Sequence, residues 1–294
     1  MTSGSYRFTV GMFECFAVSD GTNVYTDPAP LLFANAPTAQ LEQALHAYHI
    51  QPAEWVEWTN TYTCLLIATG THHVLVDTGA GSLAPTTGTL LQNLRAVGVT
   101  PAAIDTVVLT HGHPDHIGGT IDALGNQVFP HARFVMWRTD WEFWTMPVER
   151  THGDPMLEFM VPFAHQHLLP LKDRIDLLDH ETEIVPGVHA VAAPGHTPGH
   201  LALAIESGDQ QLLHLADAVC HPIHVEHPEW VMAVDILPEQ AVTTRRQLLQ
   251  RAVAEQSLVS AFHLPFPGIG HIIPAGARWQ WQPLETLDER GVVA

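Results

Sequence analysis

The segment VVLTHGHPDHIGG, Val107 to Gly119, places three histidines and an aspartate within six residues, between an apolar run and a pair of glycines. It constrains the fold because each of those side chains needs a particular backbone under it. The strand expected over IDTVVLT ends at Thr110, so His111 and His113 stand two residues apart on a loop, where extended backbone aims both imidazoles the same way. Pro114 suits the first turn of a helix and ends the extended piece. Asp115 and His116 then fall at a helix start, displaced toward a second point beside the first. Gly118 and Gly119, without side chains, let that helix lie close against whatever the histidines hold. The spacing predicts two adjacent metal positions, and imidazole with carboxylate suits Zn²⁺, with Fe, Mn or Co as other occupants.

A metal needs more ligands than this segment supplies, and other strand ends must bring them. Three candidates occur at such places: His196 ending a strand in AAPGHTPGH, Asp217 after the strand LLHLAD, and His263 closing LVSAFH. Around them the pattern is regular. TCLLIATGTHHVLVDTG predicts a hairpin turning at Gly70, and Leu90, Leu91, Leu94 and Val97 have helical spacing with Gly98 as a stop. GVHAVAAPGH, LALAIES, QQLLHLADAV and SLVSAFH predict strands, PEQAVTTRRQLLQRAVAEQ a helix, and ARWQWQPL a final edge strand. Two strand-rich halves, each followed by helices, predict two packed sheets with helices outside.

Composition narrows the partners. Twelve Lys and Arg against thirty-one Asp and Glu give a formal net charge of −19, which repels a polyanion such as nucleic acid over most of the surface. Cys15, Cys64 and Cys220 show no CxxC spacing, so they are read as reduced, mostly buried thiols rather than a disulfide framework or a cysteine zinc knot. No stretch approaches the roughly 20 apolar residues of a membrane span, and the N-terminus lacks the pattern of a secretory leader. A soluble cytoplasmic protein without a membrane partner is expected. No linker or tandem repeat divides the 294 residues, so one domain over 1–294 is expected, with an N-terminal extension of about 1–55. The oligomeric state is left open, a homodimer included.

This ordered set of motifs, VLVDTG, THGHPDH, GHTPGH, LAD and the terminal strand histidine, resembles the metallo-β-lactamase fold superfamily from about Asn60 to His263. The resemblance implies an α/β fold, a four-layer αββα sandwich with the metals at one edge between the sheets. It also implies that His111, His113 and His196 hold one metal, that Asp115, His116 and His263 hold a second, and that Asp217 bridges them. Asp77 in VLVDTG matches a position that supports the ligands from behind, with loop capping as the plainer role. His200 is structural in the family pattern. His271 competes with His263 but lies beyond two prolines and two glycines, so His263 is preferred.

Two divalent cations about 3.5–4 Å apart hold a water between them and can lower its pKa to about 7. Attack by that bridging hydroxide, with Asp115 taking its proton and passing it to the leaving oxygen, makes hydrolysis the expected reaction. No GxSxG, GxGxxG or Walker loop offers another chemistry. For the substrate, Trp137, Trp141 and Trp144 have i, i+4, i+7 spacing in FVMWRTDWEFW; they face either the core or an apolar pocket over the metals. Trp141 and Trp144, with Cys220, Trp230 and Phe266, are read as a pocket for a small neutral ester. The long insertion and HLPFPGIGH resemble the group of N-acyl-homoserine lactonases and methyl parathion hydrolase, which implies a lactone or, alternatively, a phosphotriester. Cys220 stands where those lactonases often carry a tyrosine. A glyoxalase II-type thioester hydrolase wants basic residues that are scarce here, and a noncatalytic metal-stabilised binding module is the rival from a different class.

Overall fold

The computed structural model describes residues 4–284. Its strands form two seven-stranded sheets, and in each the neighbours follow chain order. The first contains β1 (Ser5–Val10), β2 (Phe13–Thr26), β3 (Glu57–Ala68), β4 (His73–Val76), β5 (Thr106–Val108), β6 (Arg133–Trp137) and β7 (Ile175–Leu178). The second contains β8 (Glu183–Val185), β9 (Val188–Ala192), β10 (Leu201–Ser207), β11 (Gln210–His214), β12 (Leu258–Ser260), β13 (Ile269–Ala275) and β14 (Arg278–Pro283), the last at its edge. Residues read as an N-terminal extension enter the first sheet: β2 pairs antiparallel with β3 from Glu14 opposite Ala68 to Thr26 opposite Glu57. Between these two strands the chain forms α1 (Pro28–Leu32) and α2 (Thr38–Ala47).

Parallel pairing requires crossovers, and the remaining helices supply them. β4, β5, β6 and β7 are parallel in turn. They are joined through α3 (Leu90–Ala96), α4 (Pro114–Ile117), and the pair α5 (Arg138–Trp144) and α6 (Pro155–Leu168). In the second sheet β11 and β12 are parallel, joined through α7 (Ile223–Glu226) and α8 (Pro238–Glu255). Side chains of a strand alternate between faces, and here both faces are apolar. On β3, Leu65 and Ile67 join Val74, Val76, Leu201, Leu203 and Ile205 in a core between the sheets. Cys64 and Leu66 point the other way, to Leu90, Leu94, Val161 and Leu168 of α3 and α6. Ala202 and Ala204 of β10 meet Leu248, Leu249 and Ala252 of α8. The order helix, sheet, sheet, helix is therefore the expected four-layer αββα sandwich.

A fourth core belongs to the chain's N-terminal part. Leu32, Phe33 and Leu45 pack on Cys220, Ile223, Trp230 and Met232, which folds α1 and α2 over the loop after β11. All three cysteines are buried and unpaired. No described helix is long and apolar enough to cross a membrane.

Candidate metal centre

The seven side chains singled out above come from loops beyond the strands or from the turns that follow them. His111 and His113 lie past β5, and Asp115 and His116 in α4. His196 sits four residues beyond β9 rather than at its end, because Gly195, at φ 142°, has already turned the chain away from the sheet. Asp217 lies in the single turn Ala216–Ala218 after β11, and His263 three residues past β12. Because β4 with β5, and β11 with β12, run parallel, these loops leave the carboxyl ends of their strands, where α/β folds place their sites.

Two groups of His and Asp donors converge, each with ligand atoms mutually within 4.8 Å: His111, His113, His196 and Asp217 in one, Asp115, His116 and His263 in the other; the Cys220 thiol comes within the same distance of Asp217 and His263. Asp217 lies between the two groups. Its Oδ2 is 3.9 Å from His111 Nε2, 3.4 Å from His196 Nε2 and 3.0 Å from His263 Nε2, and its Oδ1 is 3.2 Å from His116 Nε2. Asp115 Oδ2 lies 3.4 Å from His263 Nε2. His113 turns its Nδ1 inward, 2.9 Å from His196 Nε2. The donor set fits divalent cations. His111 Nε2, His116 Nε2 and Asp217 Oδ1 are buried without a hydrogen-bond partner, and orphaned buried atoms pointed at one spot are what an ion would satisfy. Burial, reinforced by the neighbouring imidazoles, pushes His111 and His113 well below their usual pKa, so both offer free lone pairs. Burial acts the same way on His116 and His263, but Asp217 and the nearby carboxylates outweigh it and raise both. Burial would raise Asp217, yet His263 and His116 hold it well below the carboxylate range.

The opposite ring nitrogens are anchored. His116 Nδ1 donates to Asp77 Oδ2 at 2.8 Å, His196 Nδ1 to Asp235 Oδ1 at 2.9 Å, and His263 Nδ1 to the Thr61 carbonyl at 3.0 Å. His111 Nδ1 meets Thr110 Oγ1 at 3.1 Å, and that hydroxyl donates to Asp77 Oδ2 at 2.8 Å. Each bond leaves Nε2 facing the centre. Asp77 and Ala216 reach these places in left-handed backbone, φ 61° and 45°, rare for residues with a Cβ. His200 is turned away: its Nδ1 donates to the Ala193 carbonyl at 3.0 Å, and its Nε2 accepts the Asp217 N–H at 3.1 Å. Burial pushes it down to about 3, which suits a ring whose Nε2 must stay unprotonated. His271 sits on β13 near the Ser257 carbonyl, outside both groups. Gly118 and Gly119 do permit a close approach, but to another partner than expected. A Cβ there would lie 2.3 Å from the Ala80 carbonyl oxygen and 2.1 Å from that of Thr78, so they seat α4 on the loop after β4.

A cavity of about 120 Å³ opens over the donors and is lined by His113, Asp115, His196, Asp217 and His263 together with Tyr25, Trp58, Asn60, Met160 and Cys220. Of the five side chains expected to form a substrate pocket, Cys220 lines it. The others lie elsewhere. Trp144 is fully buried beneath the histidine loop, its ring 5.1 Å from that of His113, and Trp141 packs against the same core. Trp230 stacks on His227 at 3.8 Å inside the core under α1. Phe266 is half-buried and outside the cavity lining. The roof comes instead from Tyr25 of β2, Trp58 of β3, Leu31 and Leu32 of α1 and Met160 of α6, none of them in the metal-ligand motifs. Asp235 also escaped the sequence reading; its only signal would have been an acidic residue five positions after Trp230. No Lys or Arg lines the cavity. A larger cavity, about 350 Å³, lies behind α4 near Asp20 and His167, away from these donors.

A family model described as the metallo-beta-lactamase superfamily matches residues 60–263. The N-acyl homoserine lactonase AiiA of Bacillus thuringiensis subsp. kurstaki is 27% identical over 164 residues, 49% of this chain and 58% of its own. The probable metallo-hydrolase YflN of Bacillus subtilis (strain 168) is 27% identical over 170 residues, 56% of this chain and 62% of its own. The chain thus spans less than two thirds of the length of these curated relatives. Among solved structures, AidC, a dizinc quorum-quenching lactonase in complex with a product, superposes with a TM-score of 0.89 at 25% identity, covering 97% of this chain and 99% of that one. The hydrolase AbOPH, of the beta lactamase superfamily, superposes with a TM-score of 0.87 at 29% identity, covering 98% and 100%.

Proposed function

Since the chain belongs to the metallo-beta-lactamase superfamily, we propose that it is a metal-dependent hydrolase of small neutral esters, with a lactone of the N-acyl homoserine type as its substrate class. The observation that carries this is the pair of donor groups sharing Asp217, with their unpartnered atoms facing one another at the floor of a cavity without a cationic side chain. His111, His113 and His196 would hold one divalent cation, Asp115, His116 and His263 a second, and Asp217 both; zinc suits the set. Bound there, two such ions supply Lewis acidity and bring the pKa of a water toward neutrality. Asp115, its side chain 15% exposed and lining the cavity, is placed to take the proton of the attacking water on a carboxylate oxygen. It returns that proton to the leaving oxygen as the acyl carbon–oxygen bond breaks, so acid and base are one residue.

The cavity is smaller than the roughly 300–1,000 Å³ of sites for drug-sized ligands, so it encloses a reacting ring and leaves a longer acyl tail outside. The names of AiiA and AidC support the lactone. A neutral phosphotriester is the second reading, favoured by the same cation-free lining, which gives nothing to hold the carboxylates of a glutathione thioester. The test is a hydrolysis screen of the metal-loaded protein against acyl-homoserine lactones, simple lactones, aryl esters and phosphotriesters. Asp115→Asn should lose about 10²–10⁴ in kcat, the usual contribution of a positioned acid–base group, with both metals retained. Full activity in that variant removes Asp115 from the reaction, and metal-loaded wild type inert toward every ester overturns the hydrolase.

A further inference from the structure

Three cross-strand pairs of the β2–β3 ribbon, Gly21 with Tyr62, Asn23 with Asn60 and Tyr25 with Trp58, are spaced two residues apart and so face the same way. They build one wall beside the donors. Tyr25 lines the cavity with Asp115 and Asp217, whereas Tyr62 is fully buried behind it, its ring 5.6 Å from that of His263. The two phenolic oxygens are 3.0 Å apart.

The direction of that hydrogen bond follows from what each phenol can reach. The enclosed Tyr62 proton needs an acceptor, and Tyr25 Oη is the one at bonding distance. Asn23 does not compete, because toward both phenols its side-chain amide acts as a donor while its Oδ1 accepts the Val24 N–H at 3.0 Å. Tyr62 therefore donates to Tyr25, and the Tyr25 proton is left for the cavity. The imidazoles and carboxylates there are taken up by the donor groups, and the Cys220 thiol, a weak donor, is directed at the Asp217 carbonyl 3.6 Å away.

We propose that Tyr25 is a catalytic residue: its Oη–H donates a hydrogen bond to the carbonyl oxygen of the bound ester as that oxygen takes on negative charge, with Tyr62 fixing its direction from behind. This rests on the hydrolase reading above. It gives the N-terminal ribbon a part in the chemistry, and it supplies a phenol to a site whose position 220 carries a thiol.

The test uses the metal-loaded full chain and a lactone that the wild type hydrolyses. Tyr25→Phe should lower kcat roughly 10- to 100-fold, the worth of a hydrogen bond to a developing charge, with KM changed by less than about threefold. Metal stoichiometry and melting temperature should hold. By calorimetry, affinity for an alkylphosphonate mimic of the tetrahedral state should fall by a similar factor while affinity for the product acid holds. Tyr62→Phe leaves Tyr25 in place and should cost about threefold or more in kcat, the smaller loss of a bond one step removed. It serves as the probe if Tyr25→Phe does not fold. Unchanged kcat in the folded variant, or a raised KM with kcat intact, overturns the proposal. Wild type inert on lactone, aryl ester and phosphotriester with its metals bound removes the hydrolase reading and this proposal together; active wild type beside an undiminished Tyr25→Phe removes this one alone.

Discussion

Asp235 reaches His196 across 39 positions of sequence and settles which nitrogen that imidazole shows to the cavity. Its Oδ1 accepts from Nδ1 and its Oδ2 accepts the Met232 N–H at 2.9 Å, while buried Arg245 stands 3.8 Å away as its counter-charge. Those partners hold its pKa below the ordinary carboxylate value although burial alone would raise it. With the carboxylate gone, His196 is free to rotate or to change tautomer. Asp235→Ala should weaken metal binding about 10–100-fold, as loss of a ligand's supporting partner generally does. Competition with a chelating dye measures it, and Asp235→Asn, which keeps an acceptor oxygen, should fall between. An unaltered affinity in Asp235→Ala would make the contact incidental. Asp235 also marks a limit of sequence reading. Asp77 stands equally far, 39 positions, from His116 and is visible only because VLVDTG is one of the motifs that carry the family resemblance, whereas nothing local to Asp235 announces its partner.

Among the elements, α5 shows how a correct pattern led to a different place. Trp141 and Trp144 do lie about one turn apart on α5 and form a floor under the histidine loop, whereas Trp137 ends β6 and packs into the core between the sheets. Gly112, between His111 and His113, explains why: a Cβ there would sit 2.3 Å from Trp144 Cδ1, so the loop rests directly on the indole. Asp140 on the same helix accepts the Thr197 hydroxyl at 2.7 Å, tying the His196 loop to that floor, and burial pushes its carboxyl up to about 7. Gly112→Ala should therefore displace both histidines at once. We expect a loss of about 1–3 kcal/mol, the usual cost of overpacking, together with less than the wild-type metal content. Denaturant midpoints and elemental analysis read the two effects, and a variant as stable and as fully metallated as the wild type would show that the loop does not rest on Trp144. The histidine loop was legible because its ligand types, proline and glycines act over a few residues. The roof was not, because Tyr25, Trp58 and Met160 come together only when β2 pairs with β3 and α6 crosses beside them.

For the whole molecule, acid is the condition that sets its buried histidines against its surface charge. His167 on α6 stacks on Phe163 at 4.2 Å, His214 ends β11 beside Ser260, and His221 precedes α7 edge-on to Phe33; burial pushes each down to about 4. In the unfolded chain each titrates near 6.5. Between those values the unfolded chain binds more protons, so stability is lost as pH falls from about 6.5 toward 4. Asp20 acts in the opposite sense. Burial outweighs its backbone N–H bonds and raises it from 3.8 to about 6, so over that window the folded state binds more protons and gains as pH falls. Asp140, raised from 3.8 to about 7, adds to Asp20, and His200, pushed down to about 3, adds to the imidazoles; two carboxyls against four imidazoles leave the balance acid-labile. The formal charge of −19 complicates this, since neutralising exposed carboxylates relieves their repulsion. That repulsion is screened beyond about 3 Å at 1 M salt, whereas the cost of charging a buried imidazole is not. In the metal-free protein at high salt, the melting temperature should fall steadily from pH 7 to pH 4.5. His167→Gln, which keeps a polar side chain but cannot titrate, should flatten that slope whatever it does to stability at pH 7. A slope identical to that of the wild type would place the acid sensitivity in groups other than His167.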